Sequence, residues 1–328
     1  MKGTINHHLF VSSLLNPSDE NGEYLREIYD SLKHHTKLHI IKNTSDIWMR
    51  DYMPIQIDEK TFVTYKYRPD YLCCKERKHW MTKRFSSLAE IEKNRKEYWN
   101  DNESQLPFYT PGVSIRECQL ILDGGNIVVF GDKIILTDKV FIENRPKTPD
   151  YVIGELKRAF GKDVVIIPSD PYEIEAARDK DELPLCHADG ILASIDEETI
   201  LIAYYGRDPL GYVPQLMNVL TQYIKPENIK HFDFNKVIPG HDVPEEVWVY
   251  INFLRVGDIV FVPVLGGEFK VYDEAAVNQL KKFLKTDNVV PINTRILSLG
   301  KDENGKDVNS NCGGALHCIT WDVVREVR

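Results

Sequence analysis

Four stretches of the chain each set two apolar, β-rich runs around a short polar turn, the pattern of a β-hairpin. They are Met53 to Tyr67, Gly124 to Asp138, Ala188 to Tyr205 and Val247 to Leu265, turning at Asp58-Glu59, Gly131-Asp132, Asp196-Glu197 and Gly257-Asp258. Behind the second hairpin the apolar period lengthens to that of a helix over Tyr151 to Phe160, and a short strand, Val164 to Pro168, follows. The fourth is followed by a helix over Asp273 to Leu284 and a strand over Val289 to Ile292, the third less clearly by a helix over Pro214 to Ile224. Hairpin, helix and strand thus recur as a unit of about 60 to 70 residues. A fifth unit is assembled from both ends of the chain: strand Ala315 to Trp321 with strand Leu9 to Leu15, helix Asp19 to His34 and strand Leu38 to Lys42. The pattern predicts an α/β fold, a ring of five blades whose inner strands deliver side chains toward one axis.

One region breaks the rhythm. Pro69 to Glu117 carries a charged, helix-patterned stretch, Lys83 to Asn100, and then the Pro- and Gly-bearing segment Leu106 to Val113. It reads as a helical elaboration, about 69–117, on a single domain spanning 1–328, with its charges on a solvated face. Asp plus Glu number 50 against 41 for Lys plus Arg, a net charge of −9 without a basic run, which argues against nucleic acid or an anionic membrane as partner. No apolar run approaches the ~18 residues of a membrane helix, and the first residues lack a signal-peptide pattern. A cytoplasmic protein is expected. Homo-oligomer formation is left open. None of Cys73, Cys74, Cys118, Cys186, Cys312 and Cys318 forms a C-x-x-C pair, so neither a disulfide framework nor a paired-cysteine zinc site is expected.

The chemically unusual residues fall at one place in the repeat. Asp51, Asn126, His187 with Asp189, Asn252 and Cys318 each stand at or near the start of a unit's first strand, where a ring would gather them. A lone cysteine in a strand reads first as packing; as a nucleophile it needs a base or cation nearby. His317 beside it would point to the opposite face of a strand, which leaves His187 as partner. His187 and Asp189, two apart on an extended chain, share a side, although a surface pair near a turn has the same pattern. Cys186 is expected to turn away and pack. Trp48, Arg50 and Asp51 bring an indole, a guanidinium and a carboxylate to a loop entering a unit. Arg50 and Asp51 could be a surface ion pair. Two carboxylates converging on a cysteine and a histidine would instead suit a planar cation, gripped bidentately and covered by the indole.

Taken in order, Trp48-x-Arg50-Asp51-x-x-Pro54, Asp123-Gly124-Gly125-Asn126-Ile127, His187-x-Asp189, Tyr250-x-Asn252-Phe253 and Gly313-Gly314-Ala315-Leu316-His317-Cys318-Ile319-Thr320 resemble the bacterial peptidylarginine-deiminase-like family that includes the agmatine deiminases. The motifs span Trp48 to Thr320. The resemblance implies the pentein fold, a five-bladed pseudosymmetric α/β propeller. It implies Cys318 as nucleophile, His187 as general acid and base, and Asp51 and Asp189 as the carboxylates that grip the guanidinium. Asp123, where the family commonly has glutamate, would orient His187 despite being one methylene shorter. Trp48, Arg50, Asn126, Tyr250 and Asn252 would complete the substrate pocket. Other departures are Met53 for a glycine, Ala315-Leu316 for glycine-isoleucine and Trp321-Asp322 for a glutamine-rich ending.

The implied reaction is hydrolytic deimination through a covalent cysteine thiouronium, with a small guanidino compound as substrate and no metal or organic cofactor. Agmatine, giving N-carbamoylputrescine and ammonia, is favoured over free or peptidyl arginine. Candidate rim residues exist for each, Asp181 and Glu182 for an amine, Arg68 and Arg207 for a carboxylate. An amidinotransferase would share the intermediate and exclude water. A non-catalytic binding module on the same scaffold would have no use for a reactive Cys318, and a metalloenzyme built on His187 and Asp189 is the remotest alternative.

Overall fold

The computed structural model describes residues 4–16, 22–42, 44, 46–68, 87–93, 112–179, 184–206, 208–235, 237–238, 240–302, 304–307 and 313–327. Its strands are β1 (Thr4–Ser12), β2 (Leu38–Ile41), β3 (Ile55–Gln56), β4 (Thr61–Lys66), β5 (Ser114–Ile121), β6 (Val128–Phe130), β7 (Lys133–Thr137) and β8 (Asp163–Ile167). They continue with β9 (Leu192–Ser194), β10 (Ile200–Ile202), β11 (Ile229–His231), β12 (Leu254–Val256), β13 (Ile259–Val264), β14 (Val289–Asn293) and β15 (Thr320–Val327). Among the described residues they form five three-stranded sheets, in the orders β3-β4-β5, β6-β7-β8, β11-β10-β9, β12-β13-β14 and β15-β1-β2. Each is an antiparallel hairpin with a third strand parallel to its middle strand.

A middle strand paired on both edges is covered on both faces, and its sequence shows it. Phe62-Val63, Ile134 to Leu136, Ile200 to Ile202, Val260 to Val262 and Leu9 to Val11 are continuous apolar runs, all buried. Outer strands are shorter and mixed. The helices between hairpin and third strand follow local rules. In Pro149–Phe160, Thr148 caps the N-terminus by accepting from the Tyr151 amide, proline takes the first turn, and Gly161 ends the helix in the left-handed region at φ 65°. Val152, Leu156, Ala159 and Phe160 form its buried stripe.

The chain divides into two compact units, one holding the described residues of 1–50 and 232–328, the other those of 51–231. The first contains the β12 and β15-β1-β2 sheets, the second the other three. No helix of the described residues is long and apolar enough to cross a membrane. The expected elaboration is largely outside the described residues; Leu88–Lys93 is helical, and 114–117 already belong to β5, the third strand of its unit. The third unit also has a third strand, β11, which the sequence pattern did not reveal because only three residues pair.

Where the strands begin differs from expectation. Each hairpin of the second unit after the first is entered through a 3-10 turn, Gly124–Asn126 before β6 and Ala188–Gly190 before β9. Before β12, Glu245–Asn252 is 3-10 helix rather than strand, with Val247, Val249, Tyr250, Ile251 and Asn252 all buried. Cys318 likewise lies in a turn before β15, not within a strand.

The fifth sheet joins the two ends of the sequence. β15 pairs with β1 from Thr4↔Val327 to Val11↔Thr320, and Trp321, 1% exposed, packs on Phe10 at 4.9 Å between centroids. Trp321→Ala should cost about 3 to 5 kcal/mol in urea unfolding, and a chain ending before Ala315 should lose cooperative unfolding of the first unit. A truncated protein that keeps the parent's melting transition would contradict this pairing.

Candidate active site

The second unit brings four of the expected residues together. Asp51 comes from the helical turn Met49–Tyr52, Asp123 immediately precedes the turn Gly124–Asn126, and His187 and Asp189 flank and occupy the turn Ala188–Gly190. His187 Nδ1 lies 3.5 Å from Asp51 Oδ1, and Nε2 lies 3.1 Å from Asp123 Oδ2. All are buried. An imidazole so placed is held as an imidazolium, with Nε2 donating to Asp123 and Nδ1 at ion-pair distance from Asp51. Burial opposes that charge, but Asp51 and the hydrogen bond to Asp123 outweigh it and push the His187 pKa up to about 10. Asp51 is raised to about 7 by burial, against the pull of His187 and with Asp123 and Asp189 adding repulsion. Asp123, with no exposed surface, also pays for burial, yet Lys139 and His187 hold it well below the usual carboxylate range.

The backbone around this cluster leaves little freedom. The Gly125 amide donates to Asp51 Oδ1 at 3.0 Å. A Cβ at Gly125 would stand 2.7 Å from both Asp51 Oδ1 and His187 Nδ1 and 3.2 Å from Asp189 Oδ1, so glycine is what lets these groups converge. Before His187, Cys186 adopts φ 49°. That turn is held by Glu173 Oε1, which accepts from the Leu185 and Cys186 amides at 2.7 and 2.9 Å, and by the Thr137 hydroxyl donating to the Cys186 carbonyl at 2.7 Å. The Cys186 thiol is buried and pushed up to about 12 by burial and Glu173, an unreactive packing group.

Asn126 lies at the end of its turn, where Oδ1 accepts from the Thr137 amide and hydroxyl and from the Ala188 amide, at 2.9 to 3.2 Å. Its carbonyl oxygen therefore ties one unit's turn to the next. Lys139 was missed by the sequence reading. Its Nζ reaches Asp123 Oδ2 at 2.7 Å and Glu143 Oε1 at 3.3 Å. The only signal was a lysine directly after β7, among strands otherwise apolar.

The first unit carries Trp48, Arg50, Tyr250, Asn252 and Cys318. Asn252 repeats the part of Asn126: its Oδ1 accepts from the Ala315 and Cys318 amides at 3.2 and 3.3 Å, and its carbonyl accepts from the His317 amide. The Cys318 carbonyl accepts from the Arg50 amide at 3.0 Å. Arg50 pairs with Asp322 at 2.7 Å, and its Nε donates to the His317 carbonyl. The ion pair considered with Asp51 is thus made with Asp322 instead. Trp48 lies over Gly314, where a Cβ would come 2.3 Å from the indole. Tyr250 is buried and donates to Asp273 Oδ1 at 2.7 Å, away from any free surface. Of the described cysteines, Cys118 and Cys186 are buried and Cys318 is half-exposed; Cys73, Cys74 and Cys312 lie outside the described residues, as do the rim candidates Asp181, Glu182 and Arg207.

A cleft of about 650 Å³ opens elsewhere in the second unit, among the hairpin turns at the far ends of the strands. Its polar groups serve those turns. Asp58 accepts from the Lys60 and Thr61 amides, Asp196 from those of Glu198 and Thr199, and Lys162 donates to the Gly131 carbonyl. The buried cluster, by contrast, gathers three groups whose titrations are strongly shifted. Gly125→Ala should therefore fold near normally and lose at least about a hundredfold in kcat/KM on the enzyme's substrate, the cost of misplacing reacting groups by an ångström. An alanine variant with the parent's rate would show that the cluster need not be so close.

The sequence profile of the Porphyromonas-type peptidyl-arginine deiminases matches residues 10–323. No curated protein matches the chain by sequence comparison. Among solved structures, an agmatine deiminase of C. jejuni is similar at TM-score 0.62 and 17% identity, over 99% of this chain and 95% of that one. An agmatine deiminase of Enterococcus faecalis is similar at TM-score 0.64 and 14% identity, over 98% and 93%. The DDAH of Pseudomonas aeruginosa is similar at TM-score 0.50 and 14% identity, over 96% and 98%. These likenesses give the fold, a pentein-type α/β architecture to which the five small sheets conform. By the profile match, the chain belongs to the Porphyromonas-type peptidyl-arginine deiminase family, hydrolases that act on carbon–nitrogen bonds of guanidino groups.

Proposed function

We propose that the protein deiminates agmatine hydrolytically, giving N-carbamoylputrescine and ammonia, through a covalent adduct on Cys318. The observation that carries this reading is the buried imidazolium of His187 among the carboxylates of Asp51, Asp123 and Asp189, a site with a proton to give and an excess of negative charge for a cation. On this reading both units serve one catalytic domain spanning 1–328. Asp51 and Asp189 hold the guanidinium flat, and Trp48 covers it. Asn126, Arg50, Tyr250 and Asn252 hold the turns that present the reacting groups.

In the first half-reaction the Cys318 thiolate attacks the guanidinium carbon. The carbon–nitrogen bond breaks as His187 gives its proton to the departing ammonia, leaving a thiouronium on sulfur. Water then adds to that carbon while His187 takes one of its protons. The carbon–sulfur bond breaks, the hydroxyl's remaining proton passes to solvent, where it converts the released ammonia to ammonium, and the ureido product leaves with the thiolate restored.

Agmatine has an amine and no carboxylate at its far end. The excess of carboxylates around His187 suits such a substrate. Similar folds named agmatine deiminases support the same choice. The family's description favours a second reading, deimination of peptidyl arginine. A panel of agmatine, free arginine and a blocked arginyl peptide, assayed for ureido product and ammonia, decides between them. Agmatine should lead by at least about tenfold in kcat/KM, or ~1.4 kcal/mol; a preferred peptide would replace the substrate, and amidinated amine without ammonia would replace the reaction.

Cys318→Ala should remove turnover, and retention of activity within about tenfold would exclude it as nucleophile. Asp51→Asn and Asp189→Asn should each cost about 2 to 5 kcal/mol, read as kcat/KM, since each strands part of a buried guanidinium.

The pH dependence follows from the two nitrogens' partners. Asp51 must be ionised to grip the cation, so activity falls as pH drops through about 7. His187 must be protonated to expel ammonia, so activity falls as pH rises through about 10. A kcat/KM profile centred between these limits is expected; one that is lost on raising pH through 7 would mean that His187 acts without its carboxylate partners.

A further inference from the structure

Lys139 opens the short helix Lys139–Glu143 directly after β7, and its side chain is 8% exposed. A buried ammonium is costly unless carboxylates surround it. Glu143, four residues on and 5% exposed, supplies one on the same helix face. The other is Asp123, and the contact there is specific: Lys139 Nζ at 2.7 Å and His187 Nε2 at 3.1 Å share one oxygen, Oδ2. The other oxygen of Asp123, Oδ1, is buried with no hydrogen-bond partner among the described residues. The ionised state of Asp123 thus hangs on the two cations at Oδ2.

That arrangement has two consequences for His187. Without Lys139, Asp123 would face the imidazolium as an otherwise unpartnered carboxylate and compete for its proton. Its position would also be set by His187 alone, the group that has to change charge twice in each turnover. With Lys139 in place the acid keeps its charge and place while His187 cycles. The groups that face His187 are Asp51 from the helical turn Met49–Tyr52, Asp123, Asp189 from its own turn, Lys139, and, at longer range, Glu173 from the helix Pro171–Asp179. Among these described groups Lys139 is a cation where the others are carboxylates.

We propose that Lys139 is a positioning residue for the deimination, an ammonium that holds Asp123 as the fixed carboxylate orienting His187 and so leaves His187 free to give and retake its proton. The inference rests on the proposed reaction for its kinetic arm and on geometry for its spectroscopic one.

The test compares the parent with Lys139→Met, Lys139→Arg and Lys139→Gln, full length. Two readouts are taken: the pH profile of kcat and KM on agmatine, and the titration of the Asp123 carboxyl carbon and His187 ring by nuclear magnetic resonance of labelled protein. Lys139→Met should lower kcat by at least about tenfold, a fraction of what a general acid contributes, while KM changes by less than about threefold. The Asp123 carboxyl should take up its proton at clearly higher pH than in the parent. Lys139→Arg, which keeps the charge, should restore most of kcat and the parent titration. Should Lys139→Met fail to fold, Lys139→Gln keeps a hydrogen bond without the charge and carries the same expectations. A Lys139→Met enzyme whose kcat loss matches only its unfolded fraction, with Asp123 titrating as in the parent, would overturn the proposal. If the parent deiminates no guanidino compound, the proposed reaction fails by itself, and the Asp123 titration still decides the role of Lys139: a shift supports it and an unmoved carboxyl refutes it.

Discussion

A buried imidazolium must be compensated on both of its nitrogens, and much of the second unit is arranged to do so for His187. A single carboxylate would fix the ring in one tautomer and leave the second nitrogen unpaired. Asp51 and Asp123 come from different units of the repeat and approach from opposite sides of the ring. For that to be possible the chain between them must pass very close, and Gly125 is where it does. The left-handed backbone at Cys186, the Glu173 carboxylate beneath it and the Thr137 hydroxyl on its carbonyl then fix the direction from which the ring enters.

The repeat supplies the means of holding these turns in register. In three places a carboxylate or amide oxygen from the turn of one unit accepts backbone amides from the turn of the next. Asp51 takes Gly125, Asn126 takes Ala188, and Asn252 takes Ala315 and Cys318. The same device therefore serves sites of different chemistry. A 3-10 turn leaves its first amides without internal partners, and a short side chain from the preceding unit satisfies them at the cost of fixing its own position. This explains why Asn126 and Asn252, which the motifs suggest as substrate contacts, spend their oxygens on backbone.

Much of this was legible in the sequence because the middle strands announce themselves. Runs such as Ile134 to Leu136 and Ile200 to Ile202, each ahead of a helical period, define units by count and order. The convergence of Asp51, His187 and Asp189 was legible because they stand at one recurring position, and Asp123 entered through the resemblance. What was not legible is local geometry at that position. An apolar run such as Val247 to Ile251 has the composition of a strand, and nothing in its composition separates it from the 3-10 helix it forms. Arg50 shows a different limit. Its adjacency to Asp51 suggested a pair, but neighbours in a helical turn diverge by about 100°, and Asp322, 272 positions later, takes the guanidinium. Lys139 could not be found because a lysine after a strand ordinarily reads as solvated.

Asp123 shows how a short acid can reach a buried imidazolium. What the imidazolium requires is an oxygen about 3 Å from Nε2, whatever the length of the side chain that carries it. Asp123 meets this at 3.1 Å from an extended residue (φ −107°, ψ 133°) that immediately precedes the following turn. A shorter arm has fewer rotamers to lose on burial, which favours an acid that must stay in place. Its second oxygen is buried without a hydrogen-bond partner among the described residues, and a buried lysine balances the charge at the first. The short acid and the lysine thus act as a pair: Asp123 reaches Nε2 of His187, and Lys139 compensates its charge from within the protein.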